Sequence, residues 1–180
     1  LHNQSIFGEI ILDKATIEKS YVILYAKLCA DLYTELLRLI NDYKNQEIKN
    51  QLIKGENLKT IIIGECQQIF DEWTSTSEII NVNNSESINN ENFIYLKKKF
   101  LGNMNFIAEL INVKIISQTL GFKFLDILHK RYKEITENDK IKFLNLEGAV
   151  ILLGKFGKIV SDRHNPKHMQ NLDNFINDKI

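Results

Sequence analysis

The stretch that decides the fold runs Phe93-Ile94-Tyr95-Leu96-Lys97-Lys98-Lys99-Phe100-Leu101-Gly102-Asn103-Met104-Asn105-Phe106-Ile107-Ala108-Glu109-Leu110-Ile111. In it and just beyond it, Phe93, Leu96, Phe100, Met104, Ile107, Ile111 and Ile115 recur at steps of three and four. That spacing is one face of an α-helix and excludes the period of two that a half-buried strand needs. Gly102 stands in the middle of this helix, where it costs about 1 kcal/mol against Ala. A glycine there predicts a kink or a close approach by another element. Lys97, Lys98 and Lys99 are consecutive, so on a helix they fan out and cannot share one direction.

The same period extends to either side. Tyr21, Tyr25, Leu28, Leu32, Leu36 and Leu39 predict a helix from Tyr21 to Ile40, with Val22, Cys29, Tyr33 and Ile40 widening its stripe. Leu58, Ile62, Cys66, Ile69 and Trp73 predict another. Thr119 to Ile135 carries Leu120, Phe124, Ile127 and Leu128, and Asp139 to Val160 carries Ile141, Leu144, Val150, Leu153 and Ile159. Ser5 suits the cap of a short first helix bearing Ile6, Ile10 and Ile11, and Asn165-Pro166 suits the start of a last one bearing Met169, Leu172, Ile176 and Ile180. Two connections are long: Asn41 to Gly55, and Thr74 to Asn92, which reads as a polar surface loop or insert.

With one proline in 180 residues, long helices are not interrupted. Pairs of amphipathic helices on short turns define an all-α chain, and broad apolar stripes in series favour an α-solenoid of antiparallel helix pairs. The lack of a strict sequence repeat fits HEAT-like repeats better than tetratricopeptide or ankyrin ones. A globular helical bundle is the alternative. One domain over residues 1–180 is expected.

Composition narrows the function. Lys+Arg and Asp+Glu number 23 each, which argues against a purely electrostatic nucleic-acid or membrane binder. No apolar run reaches the roughly 18 residues of a membrane span, and Leu1 to Ser5 does not open like a secretory signal. Cys29 and Cys66 lie among apolar residues and read as buried thiols. His164 and His168 are four apart, but Pro166 between them breaks the helical geometry that would make them a metal pair. Gly148, Gly154 and Gly157 lack the spacing of a phosphate-binding loop and suit helix packing instead. No nucleophile or acid–base constellation stands out, so neither enzyme activity nor a cofactor is expected. Lys97 to Lys99, with Lys114, Lys123, Lys130, Arg131 and Lys133, form a basic region that fits either an ordinary solvated surface or a weak, salt-sensitive RNA surface.

Four segments carry a family resemblance. Leu101 to Leu110 (LGNMNFIAEL) resembles the LGN-x-x-FIGEL segment of the middle domain of eukaryotic translation initiation factor 4G. Tyr25 to Leu32 resembles its YA-x-x-C-x-x-L helix, Glu65 to Phe70 its RCQ-x-x-F helix, and Leu152 to Lys158 its LL-x-x-x-GK helix. The order is that of the family, and the four lie within Ile6 to Ile180. Ala108 replaces the family's glycine in FIGEL. The resemblance implies a HEAT-type crescent of about four repeats, short of part of the first and last. It also implies a non-enzymatic, cytoplasmic scaffold in translation initiation, monomeric in isolation. Its partners would be the DEAD-box RNA helicase initiation factor 4A and, weakly, RNA. On the best-matched segment, Asn103, Asn105 and Glu109 are the polar candidates for partner contact. Phe106 and Ile107 are either partner anchors or core, and Lys97, Lys98 and Lys99 are the RNA candidates. The alternative is a related middle domain in another mRNA pathway: splicing, nonsense-mediated decay, nuclear cap binding or interaction with poly(A)-binding protein.

Overall fold

A computed structural model describes residues 2–42, 46–47, 49–50, 58–83, 91–135 and 139–162, and among them the amphipathic segments form six bounded α-helices, with further helical residues at 46–47 and 49–50. The six are α1 (His2–Ile17), α2 (Val22–Asp42), α3 (Leu58–Asn83), α4 (Glu91–Asn112), α5 (Gln118–Glu134) and α6 (Asp139–Asp162), with a 3-10 turn, Lys19–Tyr21, joining the first two. Among the described residues there is no strand.

Alternate helices lie side by side: α1 beside α3, α2 beside α4, and α4 beside α6. Within a pair the direction reverses. Asn103 of α4 meets Cys66 of α3, while Phe93, earlier in α4, meets Trp73, later in α3. Between pairs the direction is kept. Phe100 and Glu109 of α4 meet Gly148 and Lys155 of α6 in the same order. Phe70 and Thr74 of α3 meet Phe124 and Arg131 of α5 likewise. Antiparallel pairs stacked in register make two layers, α1-α3-α5 and α2-α4-α6, which is an α-solenoid.

Aromatic rings fill the space where α3, α4 and α5 meet. Trp73 stacks on Phe100 with centroids 4.6 Å apart, and Phe70 meets Phe124 edge-on at 4.8 Å. The indole N–H of Trp73 donates to Asn145 Oδ1 at 2.9 Å, so α3 and α6 are tied through a buried polar contact. Helix ends follow ordinary capping chemistry. The Ser117 hydroxyl accepts from Leu120 N–H at 3.3 Å at the start of α5. After α4, Lys114 takes a left-handed φ of 65°, and the amides of Ile115 and Ile116 return to the Leu110 carbonyl at 2.9 and 3.2 Å.

Several sequence expectations change. Residues 74–83 continue α3 where a polar loop was expected. The Thr74 hydroxyl donates to the Asp71 carbonyl, and Arg131 of α5 donates to the Thr74 carbonyl at 3.0 Å, so a tertiary contact holds the helix past its apolar run. Ser5 lies inside α1, not at its cap, because that helix starts at His2. On α2 the fully buried residues are Val22, Ala26 and Cys29; Tyr25, Leu32 and Leu36 of the expected face are half-buried against the core, while Leu28 and Leu39 are exposed. On α6, Val150 and, on α5, Ile127 are exposed instead of core. His164, Pro166 and the helix proposed after them lie outside the described residues, as does most of Asn41 to Gly55.

Candidate functional site

Helix α4 is the centre of the molecule, touching every other α-helix, and from Phe100 to Ile111 only Asn105 is not buried. The sequence motif explains how this packing is possible. A Cβ on Gly102 would lie 2.0 Å from the Thr16 carbonyl oxygen, so the glycine marks a backbone-to-backbone approach of α1 and α4. The neighbouring Asn103 is fully buried and donates from Nδ2 to the Cys66 carbonyl of α3 at 2.8 Å. Glu109 accepts from Lys155 Nζ of α6 at 2.6 Å and from Asn112 Nδ2 at 3.1 Å. Glycine, asparagine and glutamate thus fasten α4 to α1, α3 and α6 in turn.

This arrangement reassigns Asn103 and Glu109, two of the polar candidates for partner contact, and places Phe106 and Ile107, open between anchor and core, in the core. Asn103, Phe106 and Ile107 have no exposure, and Glu109 has 8%. They build the core and its polar ties, and their side chains do not reach the surface. Asn105 does, at the junction of α4 with α6. The three consecutive lysines diverge as helical geometry demands. Lys97 lies between α4 and α6, and Lys98 points outward. Lys99 turns the other way, 3.9 Å from Glu72 of α3 and over the Tyr95 ring. They do not form one phosphate-binding patch.

The face of Lys99 is an acidic cleft between α1 and α3, with Glu9, Asp13, Glu65 and Glu72 on its walls. Burial pushes the Glu65 carboxyl above its ordinary range, and the Glu9 carboxylate adds to the shift. Among the described residues no group of three or more His, Cys, Asp or Glu side chains is arranged to hold a metal ion. Both cysteines are buried free thiols. Burial pushes Cys29 up to about 12 and raises Cys66 further, which removes the thiolate that reactive cysteines need. No described helix is long and apolar enough to cross a membrane.

The accessible surface of α4 faces a seam with the parallel α6. Ile94, Lys97, Leu101 and Asn105 follow one another along α4, opposite Phe143, Glu147, Val150 and Gly154 on α6. Two hollows of about 410 and 340 Å³ lie along it. The sequence reading missed Phe143 and placed Val150 in the core. The available signal was that Phe143 falls off the Ile141–Leu144 face, while Val150 follows it by seven residues, two turns on the same side.

A two-layer helical solenoid whose motif residues are spent on internal ties, with an open seam outside, is a scaffold class of protein. The family comparison agrees: the MIF4G domain model matches residues 4–177, and the chain belongs to the MIF4G domain family. Such domains are helical interaction scaffolds in mRNA-related processes. No solved structure matches the chain.

Proposed function

We propose that this domain is a non-enzymatic scaffold of translation initiation that docks the DEAD-box RNA helicase initiation factor 4A. The observation that supports this best is the interlocking of α4. Its ties to Thr16, Cys66 and Lys155 hold three helices in fixed positions around it. A helicase of two mobile lobes needs such a platform. Engaging both lobes at once makes the second contact intramolecular. Holding them near the closed arrangement raises the population of the active state, provided the scaffold binds that arrangement more tightly. Weak RNA contact through exposed Lys98 accompanies docking, in the cytoplasm, with the domain itself a monomer.

The test is a pull-down with factor 4A together with its RNA-dependent ATPase rate, with and without the domain. Binding and stimulation are expected; absence of both removes the reading. Capture of a different DEAD-box protein or of an RNA-processing factor, without factor 4A, assigns the domain to another mRNA pathway. RNA contact predicts that affinity in fluorescence polarisation falls with salt; a flat response removes that part.

A further inference from the structure

The α4–α6 seam carries features that internal packing does not use. Ile94, Phe143 and Val150 are 58%, 61% and 58% exposed, although they lie along one line between two well-packed helices. Lys97 and Lys140 border the first hollow, and Lys19, from the α1–α2 connection, borders the second. None of these three lysines has an ion-pair partner among the described residues, and one carboxylate, Glu147, lies beside them. Lys155, which also borders the second hollow, is already committed to Glu109. The seam is therefore apolar along its floor and net positive at its rim.

We propose that this seam is a docking groove for an acidic amphipathic helix of a partner protein. From Phe93 to Asn105 it runs about 18 Å at 1.5 Å per residue, the length of roughly a 12-residue helix. Two hollows in line receive apolar anchors about two turns apart, as in helix-in-groove recognition. The lysine rim pairs with carboxylates on the flanks of such a helix, and Glu147 disfavours a uniformly acidic ligand. An RNA strand fits less well, because the floor is mainly aliphatic and offers one exposed ring, Phe143, where base stacking needs several. The inference stands apart from factor 4A docking, since it rests on the chemistry of the seam alone.

The test uses a fluorescein-labelled peptide of about 14 residues with leucines at i, i+3, i+7 and i+10 and glutamates beside them. Controls are a scrambled peptide of the same composition and a version with lysine for glutamate. Fluorescence polarisation against the intact domain is expected to favour the acidic amphipathic peptide by about ten-fold or more over both. Phe143→Asp and Ile94→Asp each weaken it by about ten-fold. Leu24→Asp, at an equally exposed site on α2, leaves it unchanged. The double variant Lys97→Glu/Lys140→Glu reverses the preference towards the lysine peptide. Circular dichroism confirms that each variant is folded; the three single sites are all exposed. Equal binding of the three peptides, or undiminished binding by both seam variants, overturns the proposal. So does displacement of the peptide by a single-stranded RNA oligonucleotide, which would make the seam a nucleic-acid surface. A concentration-dependent dimer in sedimentation velocity that Phe143→Asp abolishes also overturns it, in favour of a second copy of the chain.

Discussion

The carbonyl oxygen of Thr16, in the last turn of α1, lies 2.0 Å from where a Cβ on Gly102 of α4 would stand. The atoms in the way are main-chain atoms of a helix, which cannot swing aside as a side chain can. Gly102→Ala gains about 1 kcal/mol in intrinsic helix preference, yet it must separate two helices or deform one. The expected result is a loss of about 3 kcal/mol or more in urea unfolding. Gly64, on the exposed side of α3, has nothing within 4 Å of the same position, so Gly64→Ala should raise stability by up to about 1 kcal/mol. Two identical substitutions with opposite signs separate close approach from propensity.

The bond from Trp73 to Asn145 joins residues 72 apart in sequence inside the core. Asn145→Ala leaves a buried indole N–H without its acceptor and opens a small void, so a loss of about 2–3 kcal/mol is expected. Trp73 is the single tryptophan, and its emission reports the transition directly. A native spectrum already shifted to the red in Asn145→Ala would show that water has entered the site.

Glu65 produces a pH dependence of known sign. Burial first, and then the Glu9 carboxylate, raise its folded-state pKa above the ordinary value of 4.5. Between the unfolded and the raised folded value, the native state keeps a proton that the unfolded chain has released. Stability from this group therefore declines as pH rises through that window, and the penalty is complete above the folded value. Glu65→Gln should raise Tm at pH 7, with the gain vanishing below the ordinary carboxylate range. A gain equally large in acid would trace the effect to something other than ionisation.

Lys114 bears a side chain at φ 65° where α4 turns towards α5. A left-handed conformation costs a non-glycine residue about 1–2 kcal/mol, partly offset by the chain entropy that glycine loses on folding. Lys114→Gly should raise Tm, corresponding to about 0.5–1 kcal/mol. Lys114→Val, β-branched and less tolerant of this region, should lower it.

Much of the architecture was legible before the structure. Steps of three and four placed α2, α4, α5 and α6 nearly where they occur and α3 as far as Trp73, and Gly102 announced a kink or a close contact. The faces were less legible. On α2, Tyr25, Leu32 and Leu36 of the expected face are half-buried against the core, Leu28 and Leu39 of the same face are exposed, and Val22, Ala26 and Cys29 are the fully buried set. Spacing marked the stripe; which of its residues are fully covered depends on the neighbouring helices. The candidate site suffered the same ambiguity. Asn103 and Glu109 read as surface groups because they are polar, yet each is matched by a partner 37 or 46 positions away.

By itself the amino-acid sequence determined that this chain is helical over most of its described length, stacked in pairs, and similar to one family, because period and motif are local properties of a string. Only the tertiary structure decided which polar residues of the motif point inward, which apolar ones were left outside, and that α4 and α6 leave a lysine-rimmed seam between them. Those outcomes depend on which side chain fits beside which neighbour. That is a matter of distances between residues far apart in the chain, and spacing along the chain does not encode it.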